Sequence, residues 1–306
     1  MSHDEHVMSA INDLFGGENV KYVEHKHRGG SSGAKGARYE DVFLALKVAE
    51  AAANIVDGVS TEWPCIVGQY RCFVDDVRVS LSTKTEYFQL KNHTTTTPSW
   101  TSGPHPIADD FRMQYQVSIK LQEPNPATIL VVPEETYLDK LKQNMPVDII
   151  QFSSVYHFPS FGSPDLYVWE VDWIREMLRK LAIDEDATIE QLYGLLGALM
   201  IACQSSHHEG NAGNIMDLVA EMHPNQIRVI PNQRDWNLRL KPDFQKILAQ
   251  IPDLDYRIER GFFQWSGLGM SQTFAFNCLS NEFNLFQEAV ESRRPTTFEE
   301  FEEMLP

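Results

Sequence analysis

The sequence predicts an α/β fold, with a mixed core in the first half of the chain and a mainly helical region in the second half. Two observations lead to this prediction. Between residues 73 and 152, segments of alternating or continuous apolar residues are separated by segments of helical spacing, which is the order of strands and helices in an α/β core. After about residue 160, apolar residues recur mainly at helical intervals. We therefore divide the chain into residues 1–38, 39–159 and 160–306.

Residues 1–38 are predicted to form a flexible basic arm. Apolar residues between 11 and 15 are compatible with one short helix in it. The stretch from Arg28 to Gly36 is rich in Gly and Ser, which is the composition of a flexible segment. A local positive balance in the arm suits contact with a nucleic-acid backbone, and a flexible tail without such a role is the alternative. Counted over residues 20–48, which extend into the next helix, the basic residues are Lys21, Lys26, Arg28, Lys35, Arg38 and Lys47, against Glu24, Glu40 and Asp41.

The core is predicted to begin with one helix and two strands. Apolar residues spaced by three or four predict a helix over residues 39–56, which Asp57 and Gly58 end. Alternation of apolar and polar residues predicts strands over residues 73–81 and 86–91. The remaining predicted elements are a helix at 107–121, a strand at 127–132, a helix at 134–142, a strand at 148–152, helices at 171–181, 189–203, 215–221 and 244–251, and a final acidic helix that Thr297 caps.

The composition limits the classes of function. The 306 residues carry a formal net charge of −17, from 26 basic and 43 acidic residues, which argues against a general nucleic-acid coating protein. Any DNA contact is then expected in a confined groove or with the help of a basic partner. The chain opens without a signal-peptide pattern, its four cysteines form no CxxC pair, and its longest apolar run, residues 194–203, is too short to cross a bilayer. We expect a cytoplasmic protein with reduced cysteines and no membrane contact.

Three polar residues on two neighbouring predicted strands form a candidate site for phosphodiester hydrolysis. This reaction needs a hard divalent cation held by oxygen ligands, together with a positive charge near the phosphate. Gln89 and Lys91 are two residues apart, so they share the polar face of their strand. Asp76 lies on the polar face of the preceding strand, whereas Asp75 has the parity of the apolar residues there. Asp76 is therefore the favoured carboxylate and Asp75 the alternative, and a solvated strand face without catalysis is the alternative for the whole set.

The order of these motifs resembles the PD-(D/E)xK nuclease superfamily. A helix carrying Glu40 precedes Asp75-Asp76-Val77, and Tyr-Phe-Gln-Leu-Lys follows at residues 87–91. More narrowly, the pattern is similar to the double-stranded-DNA endonuclease domains at the N-termini of bacterial anti-phage effectors, which include CBASS effectors and nuclease subunits of Lamassu-type systems. The resemblance covers roughly residues 33–155, and the first strand lacks the Pro-Asp of the superfamily's name.

The resemblance implies a role for each motif residue on the two strands. Asp76 is implied as the principal metal ligand, and Gln89 stands where the family has an acid or a glutamine. The side-chain oxygen of Gln89 and the backbone carbonyl of Leu90 are implied as further ligands. Lys91 is implied to position the attacking water and to stabilise the negative charge that develops on the phosphate.

The helix ahead of the strands is implied to complete the site. Glu40 would act there through the metal or through water, with Glu50 as the alternative and a simple first-turn charge as the structural explanation. The implied activity is Mg²⁺-dependent cleavage of double-stranded DNA, with Mn²⁺ as an alternative cofactor, by a subunit of a prokaryotic anti-phage defence system. The implied control is oligomerisation or an ATPase or sensor subunit, for which residues 160–306 are the natural regulatory or partner-binding region.

Two other functions remain open at this level. A nuclease-like fold that has lost catalysis and serves as a DNA-binding or scaffolding subunit fits the acidic net charge and the neutral Gln89, whereas Asp76 and Lys91 argue against it. A histidine-dependent metal hydrolase would draw on His25 and His27 or on residues 207–209, but their spacing matches no HExxH or zinc-finger pattern.

Overall fold

A mixed six-stranded sheet with helices on both faces forms most of the structure, and a second, three-stranded antiparallel sheet lies near the C-terminus. The structure is a computed structural model. It describes residues 3–29, 34–92, 97–206, 209–223, 226–228, 240–278 and 280–305. The mixed sheet and its helices confirm the predicted α/β class.

The bounds of the elements agree with most of the predicted helices and strands. In chain order the elements are α1 (His3–Phe15), α2 (Gly17–Gly29), α3 (Ala34–Val56), β1 (Cys65–Gly68), β2 (Val77–Ser80), β3 (Thr85–Leu90), α4 (Ile107–Lys120), β4 (Pro126–Val132), α5 (Thr136–Gln143), β5 (Ser153–His157), α6 (Asp165–Glu170), α7 (Asp172–Leu181), α8 (Ile189–Ser205), β6 (Glu209–Asn211), α9 (Ala212–Met222), α10 (Pro242–Leu248), β7 (Asp255–Glu259), β8 (Phe262–Gly267), β9 (Met270–Asn277), α11 (Asn281–Arg293) and α12 (Phe298–Glu302).

The large sheet has the strand order β5-β4-β3-β2-β1-β6. The strands β6, β1, β2 and β3 pair antiparallel, whereas β3, β4 and β5 pair parallel. Val77 pairs with Phe88, so Asp76, just before β2, lies opposite Gln89 of β3. The first residues of β2 and the last residues of β3 therefore lie side by side at the same end of the two strands.

Both faces of β3 are covered by apolar layers. Phe88 and Leu90 pack with α3, α7, α8 and α9 on one face, as the alternation predicted. On the other face Tyr87 packs with residues from α1, α2, α4 and α5. The alternative of a solvated strand face is wrong for β3, because Tyr87 and Gln89 are both buried. They are buried because α1 and α2 cover this face.

The N-terminal residues differ from the predicted flexible basic arm over residues 1–38. Residues 3–29 form two helices joined at Gly16, which has a positive φ of 81°. Val7, Ile11 and Val23 are buried against the second face of the large sheet. Short helices gain most of their stability from tertiary packing, so the Gly- and Ser-rich composition nearby did not reveal them. Residues 30–33 of the Gly-rich stretch lie outside the described residues.

The C-terminal half is less helical than predicted, and the boundary expected near residue 160 does not separate two cores. The helices α6 to α9 pack in the same apolar cluster as α3, and β6 adds an edge strand to the large sheet. Residues 240–305 form an apolar cluster of their own around β7, β8 and β9. Apolar residues alternate along this small sheet, so that Phe263, Trp265 and Phe274 face the helices α10 to α12. The predicted cap at Thr297 is confirmed, because its side chain accepts a hydrogen bond from the N–H of Glu300.

Two predicted strands are shorter or displaced. The segment 148–152 forms turns instead of a strand, because Ile149 and Phe152 donate backbone hydrogen bonds three residues back, and β5 follows it. The predicted strand 73–81 shrinks to β2, because the backbone preceding it closes a loop onto the end of β1. Among the described residues, no helix is long and apolar enough to span a membrane.

Candidate functional site

Asp76 and Gln89 meet where β2 begins and β3 ends. Gln89 Nε2 donates a hydrogen bond to Asp76 Oδ2 over 2.5 Å, and the backbone N–H of Leu90 donates to the same oxygen over 2.5 Å. Both side chains are buried. Lys91 is the first residue after β3, where its backbone N–H bonds the carbonyl of Val131, and its positive charge lowers the pKa of Asp76. The structure thus brings together the three residues predicted from strand parity.

A short loop between β1 and β2 fixes both aspartates. The backbone N–H of Gln69 bonds the carbonyl of Asp76 at 2.9 Å, and the N–H of Tyr70 bonds the carbonyl of Asp75 at 2.7 Å. Gln114 of α4 accepts a hydrogen bond from the backbone N–H of Phe73 at 3.1 Å. The position of the aspartates is therefore set by backbone contacts and by α4, not by strand pairing alone.

Glu40 reaches the same place from α3. Its Oε2 accepts a hydrogen bond from the side-chain amide of Gln69. Burial, followed by the negative charges of Asp76 and Asp75, raises the pKa of Glu40 to about 8. Glu50, the alternative, lies ten residues further along α3, roughly 15 Å away, and is paired with Lys47 at 2.8 Å. Of the two glutamates, the structure places Glu40 at the site.

The carboxylates at the site repel one another. Burial and then the charge of Asp75 raise the pKa of Asp76 to about 6, against the lowering effects of Lys91 and the Leu90 N–H. The buried Asp75 and Asp76 come directly before β2, and Glu40 comes from the neighbouring helix α3. Negative charge is therefore concentrated where β2 begins. A bound cation would relieve this repulsion.

A lysine that the sequence did not predict as a site residue lies inside this cluster. Lys26 extends from α2, and its Nζ is 2.9 Å from Gln89 Oε1, 3.1 Å from Asp75 Oδ1 and 3.0 Å from Asp110 Oδ2. It also donates to the carbonyl of Phe73. Burial lowers the pKa of Lys26, but the charges of Asp75 and Asp110 outweigh this effect and raise the pKa overall. Lys26 is therefore protonated at neutral pH.

Asp110 of α4 completes the surroundings of Lys26. The hydroxyl of Tyr22 in α2 lies 3.1 Å from Asp110 Oδ1 and 3.0 Å from Asp110 Oδ2, so its single proton is shared by the two carboxylate oxygens. The helical period gave a signal for this residue, because Asp110, Gln114 and Ser118 recur every four residues on the buried face of α4. Polar residues on an apolar helix face are expected to have partners, and here Asp110 contacts Lys26 while Gln114 holds the loop that carries the aspartates.

The oxygen donors fit a hard divalent cation in part. The carboxylates of Asp76 and Glu40 are the ligand type that Mg²⁺ takes in proteins. Gln89 turns its nitrogen, not its oxygen, towards Asp76, and Leu90 contacts Asp76 through its N–H, so its predicted carbonyl ligation stays a prediction. Among the described residues, no group of three or more His, Cys, Asp or Glu is arranged to hold a metal ion, and residues 207 and 208 of the predicted histidine cluster lie outside them.

Comparison with known proteins finds similar solved structures but no matching family. No protein-family model matches the sequence, and no curated protein matches it. Matching solved structures include the SAVED/CARF-domain-containing receptor Cap4 of Acinetobacter baumannii, alone and with the cyclic trinucleotides 3'3'3'-cAAA and 2'3'3'-cAAA. Each is 14% identical with a TM-score of 0.38, and each match covers 60% of this chain. The chain spans 45–47% of the length of these receptors, and a likeness at this level carries no argument about function.

Proposed function

We propose that the protein is a Mg²⁺-dependent endonuclease that cleaves double-stranded DNA at the site formed by Asp76, Gln89, Lys91 and Glu40. The observation that carries the proposal is the contact between Asp76 and Gln89 across the β2–β3 pair, with Lys91 on the next residue. The chain thereby places a carboxylate and a positive charge close together from the ends of two neighbouring strands. The resemblance to PD-(D/E)xK nucleases supports the same activity.

Each side chain has a task that follows from its position. When bound, the divalent cation would supply the Lewis acid that polarises the phosphate and activates a water molecule. Asp76 and Glu40 would supply carboxylate oxygens from two different elements, and Gln69 of the loop between β1 and β2 contacts both residues. Lys91 supplies a positive charge beside Asp76, where it stabilises negative charge on the phosphate. The buried loop between β1 and β2 keeps the two aspartates in place.

Plasmid cleavage tests this activity. Wild-type protein is incubated with supercoiled plasmid DNA and Mg²⁺ or Mn²⁺, and EDTA is expected to abolish cleavage. Lys91→Met is expected to lower the rate by at least about a hundredfold, the usual effect of losing a group that stabilises charge in the transition state. Lys84→Met is the matched control, because Lys84 lies at the other end of β3 and pairs with Glu86 at the surface. Equal rates for the two variants would contradict the proposed role of Lys91.

A second candidate function is a nuclease fold that binds DNA or scaffolds a complex without cutting. The observation that favours it is Lys26, whose ammonium already compensates the carboxylates at the site. Under this alternative, neither wild type nor Lys26→Met cleaves plasmid DNA with Mg²⁺ or Mn²⁺. DNA binding in a gel-shift assay is then unchanged by EDTA and by Lys91→Met.

The proposal includes control of the enzyme by assembly. An uncontrolled nuclease would damage the chromosome of its host, so we propose an anti-phage defence role in which oligomerisation or an ATPase or sensor subunit activates cleavage. The net charge of −17 supports a need for help in DNA binding. Light scattering of the purified chain, with and without DNA and Mg²⁺, measures whether activity accompanies a change in oligomeric state. Full activity of a monomer would contradict control by assembly.

A further inference from the structure

Gln89 lies between a cation and an anion that together fix the orientation of its amide group. The ammonium of Lys26 is a donor only, and it takes Gln89 Oε1 at 2.9 Å. The carboxylate of Asp76 is an acceptor, and it takes Gln89 Nε2. Because one neighbour only donates and the other only accepts, the amide oxygen faces Lys26 and the amide nitrogen faces Asp76.

This orientation is the opposite of the one that ligates a metal shared with Asp76. Ligation requires Gln89 Oε1 on the side of Asp76, which would turn Nε2 towards Lys26. Two donors would then face each other at the place where the oxygen now lies 2.9 Å from Lys26 Nζ. The positive charge of Lys26 also reaches Asp76, so it opposes a second cation there. Lys26 in its present position therefore works against metal binding in two ways.

We propose that Lys26 is a positioning residue that acts through Gln89 and holds the site in a form that does not bind metal. The inference rests on the proposed function, because it concerns the metal site of that reaction. Metal binding then requires Lys26 to leave Gln89. Lys26 is carried by α2, which docks through Val23 and through the hydrogen bond of Tyr22 to Asp110, so the docking of α2 sets the metal affinity.

Mn²⁺ binding to the full chain, without DNA, tests the inference. Electron paramagnetic resonance of free Mn²⁺ gives the dissociation constant for wild type and for Lys26→Met. Apparent affinity falls with the fraction of molecules in the binding-competent form, so Lys26→Met is expected to bind Mn²⁺ at least about tenfold more tightly than wild type. Lys21→Met is the matched control on the same helix, since Lys21 pairs only with its helix neighbour Glu18 among the ion pairs described, and its affinity is expected to equal that of wild type.

Gln89→Glu separates orientation from charge and serves if Lys26→Met fails to fold. A carboxylate has two equivalent oxygens, so one can face Lys26 while the other faces the metal. Gln89→Glu is therefore expected to bind Mn²⁺ more tightly than wild type with Lys26 still in place. In this background, adding Lys26→Met is expected to change the affinity less than it does in wild type, because the orientation of residue 89 no longer depends on Lys26 and only the positive charge of Lys26 is removed. A merely structural role for Lys26 would not produce this dependence on residue 89.

Each outcome decides between the two ideas. Equal Mn²⁺ affinity for wild type, Lys26→Met and Gln89→Glu overturns the role of Lys26. Tighter binding by the variants without plasmid cleavage by any of them supports the role of Lys26 and rejects the nuclease. If none of the three proteins binds Mn²⁺ at millimolar concentration, there is no metal site and both ideas fail.

Discussion

Replacing Lys26 tests whether α1 and α2 are docked as part of the core. The side chain of Lys26 is 18% exposed, and those of Asp75 and Asp110 are 4% and 8% exposed. Lys26→Met leaves these two buried carboxylates without their cation, and breaking a buried pair in this way costs about 3–5 kcal/mol of unfolding free energy. Lysine and methionine have similar helix propensities, so α2 itself contributes little to the change. A lysine on a flexible exposed arm would contribute at most about 1 kcal/mol.

Urea denaturation followed by circular dichroism measures this difference. Lys21→Met is the control, because Lys21 and Glu18 are 68% and 88% exposed, and its effect is expected within about 0.5 kcal/mol. Lys26→Met combined with Asp110→Asn should recover part of the loss, since one of the two unpaired charges is then removed. The reasoning is refuted if Lys26→Met changes the unfolding free energy by less than about 1 kcal/mol, no more than an exposed pair.

Two further predictions concern the C-terminal cluster of residues 240–305. Gly267→Ala should lower its stability by about 1–3 kcal/mol or more, because a Cβ at Gly267 would overlap the ring of Phe298 and approach the carbonyl of Asp253 at 2.8 Å; unchanged thermal denaturation would contradict this packing. Arg260→Ala should expose the small sheet to limited proteolysis sooner than wild type, because Arg260 bonds the carbonyl of Ala182 after α7 at 2.6 Å; equal cleavage rates would show that this link contributes nothing.

Local sequence patterns were sufficient to predict the central hairpin of the site. Alternation in β2 and β3 placed Phe88 and Leu90 on one face and Gln89 on the other, as the structure has them. The same parity argument selected Asp76 as the partner of Gln89, and these residues are in contact. These predictions succeeded because strand pairing between neighbours in sequence depends on a period of two residues and one short turn.

The second half of the site could not be predicted, because it depends on tertiary packing. Lys26 was counted only as one charge of a basic arm, since nothing in residues 17–29 indicates what α2 packs against. Asp75 was ranked below Asp76 by parity, yet it pairs with Lys26 at 3.1 Å. Asp110 was identifiable as a polar residue on a buried helix face, but its partner was not. A contact between residues 84 positions apart leaves no periodic signal in a single sequence.

The displaced C-terminal boundary has the same cause. The strand β6 is three residues long, too short for alternation to mark it, and it is recognised only by its pairing with β1. The helices α7 and α8 carry ordinary helical periods, which do not reveal that they pack on α3. Period and composition indicate the type of an element, whereas the core that an element joins depends on shape and on distant residues.

The cost of removing Lys26 determines whether it can act as a reversible control. A loss of about 3–5 kcal/mol corresponds to a factor of roughly 10² to 10⁴ between the docked and released forms, enough to keep basal metal binding low. A partner or DNA contact shifts this equilibrium only by its difference in affinity for the two forms, so a preference of roughly 10² to 10⁴ for the released form would offset the cost. The free-energy cost of displacing the Lys26 ammonium is therefore one that a single binding event can offset, although the same ammonium also fits a permanently inactive fold. A carboxylate at residue 89 would not be controlled in this way, so the neutral Gln89 and the nearby Lys26 are expected to act as a pair.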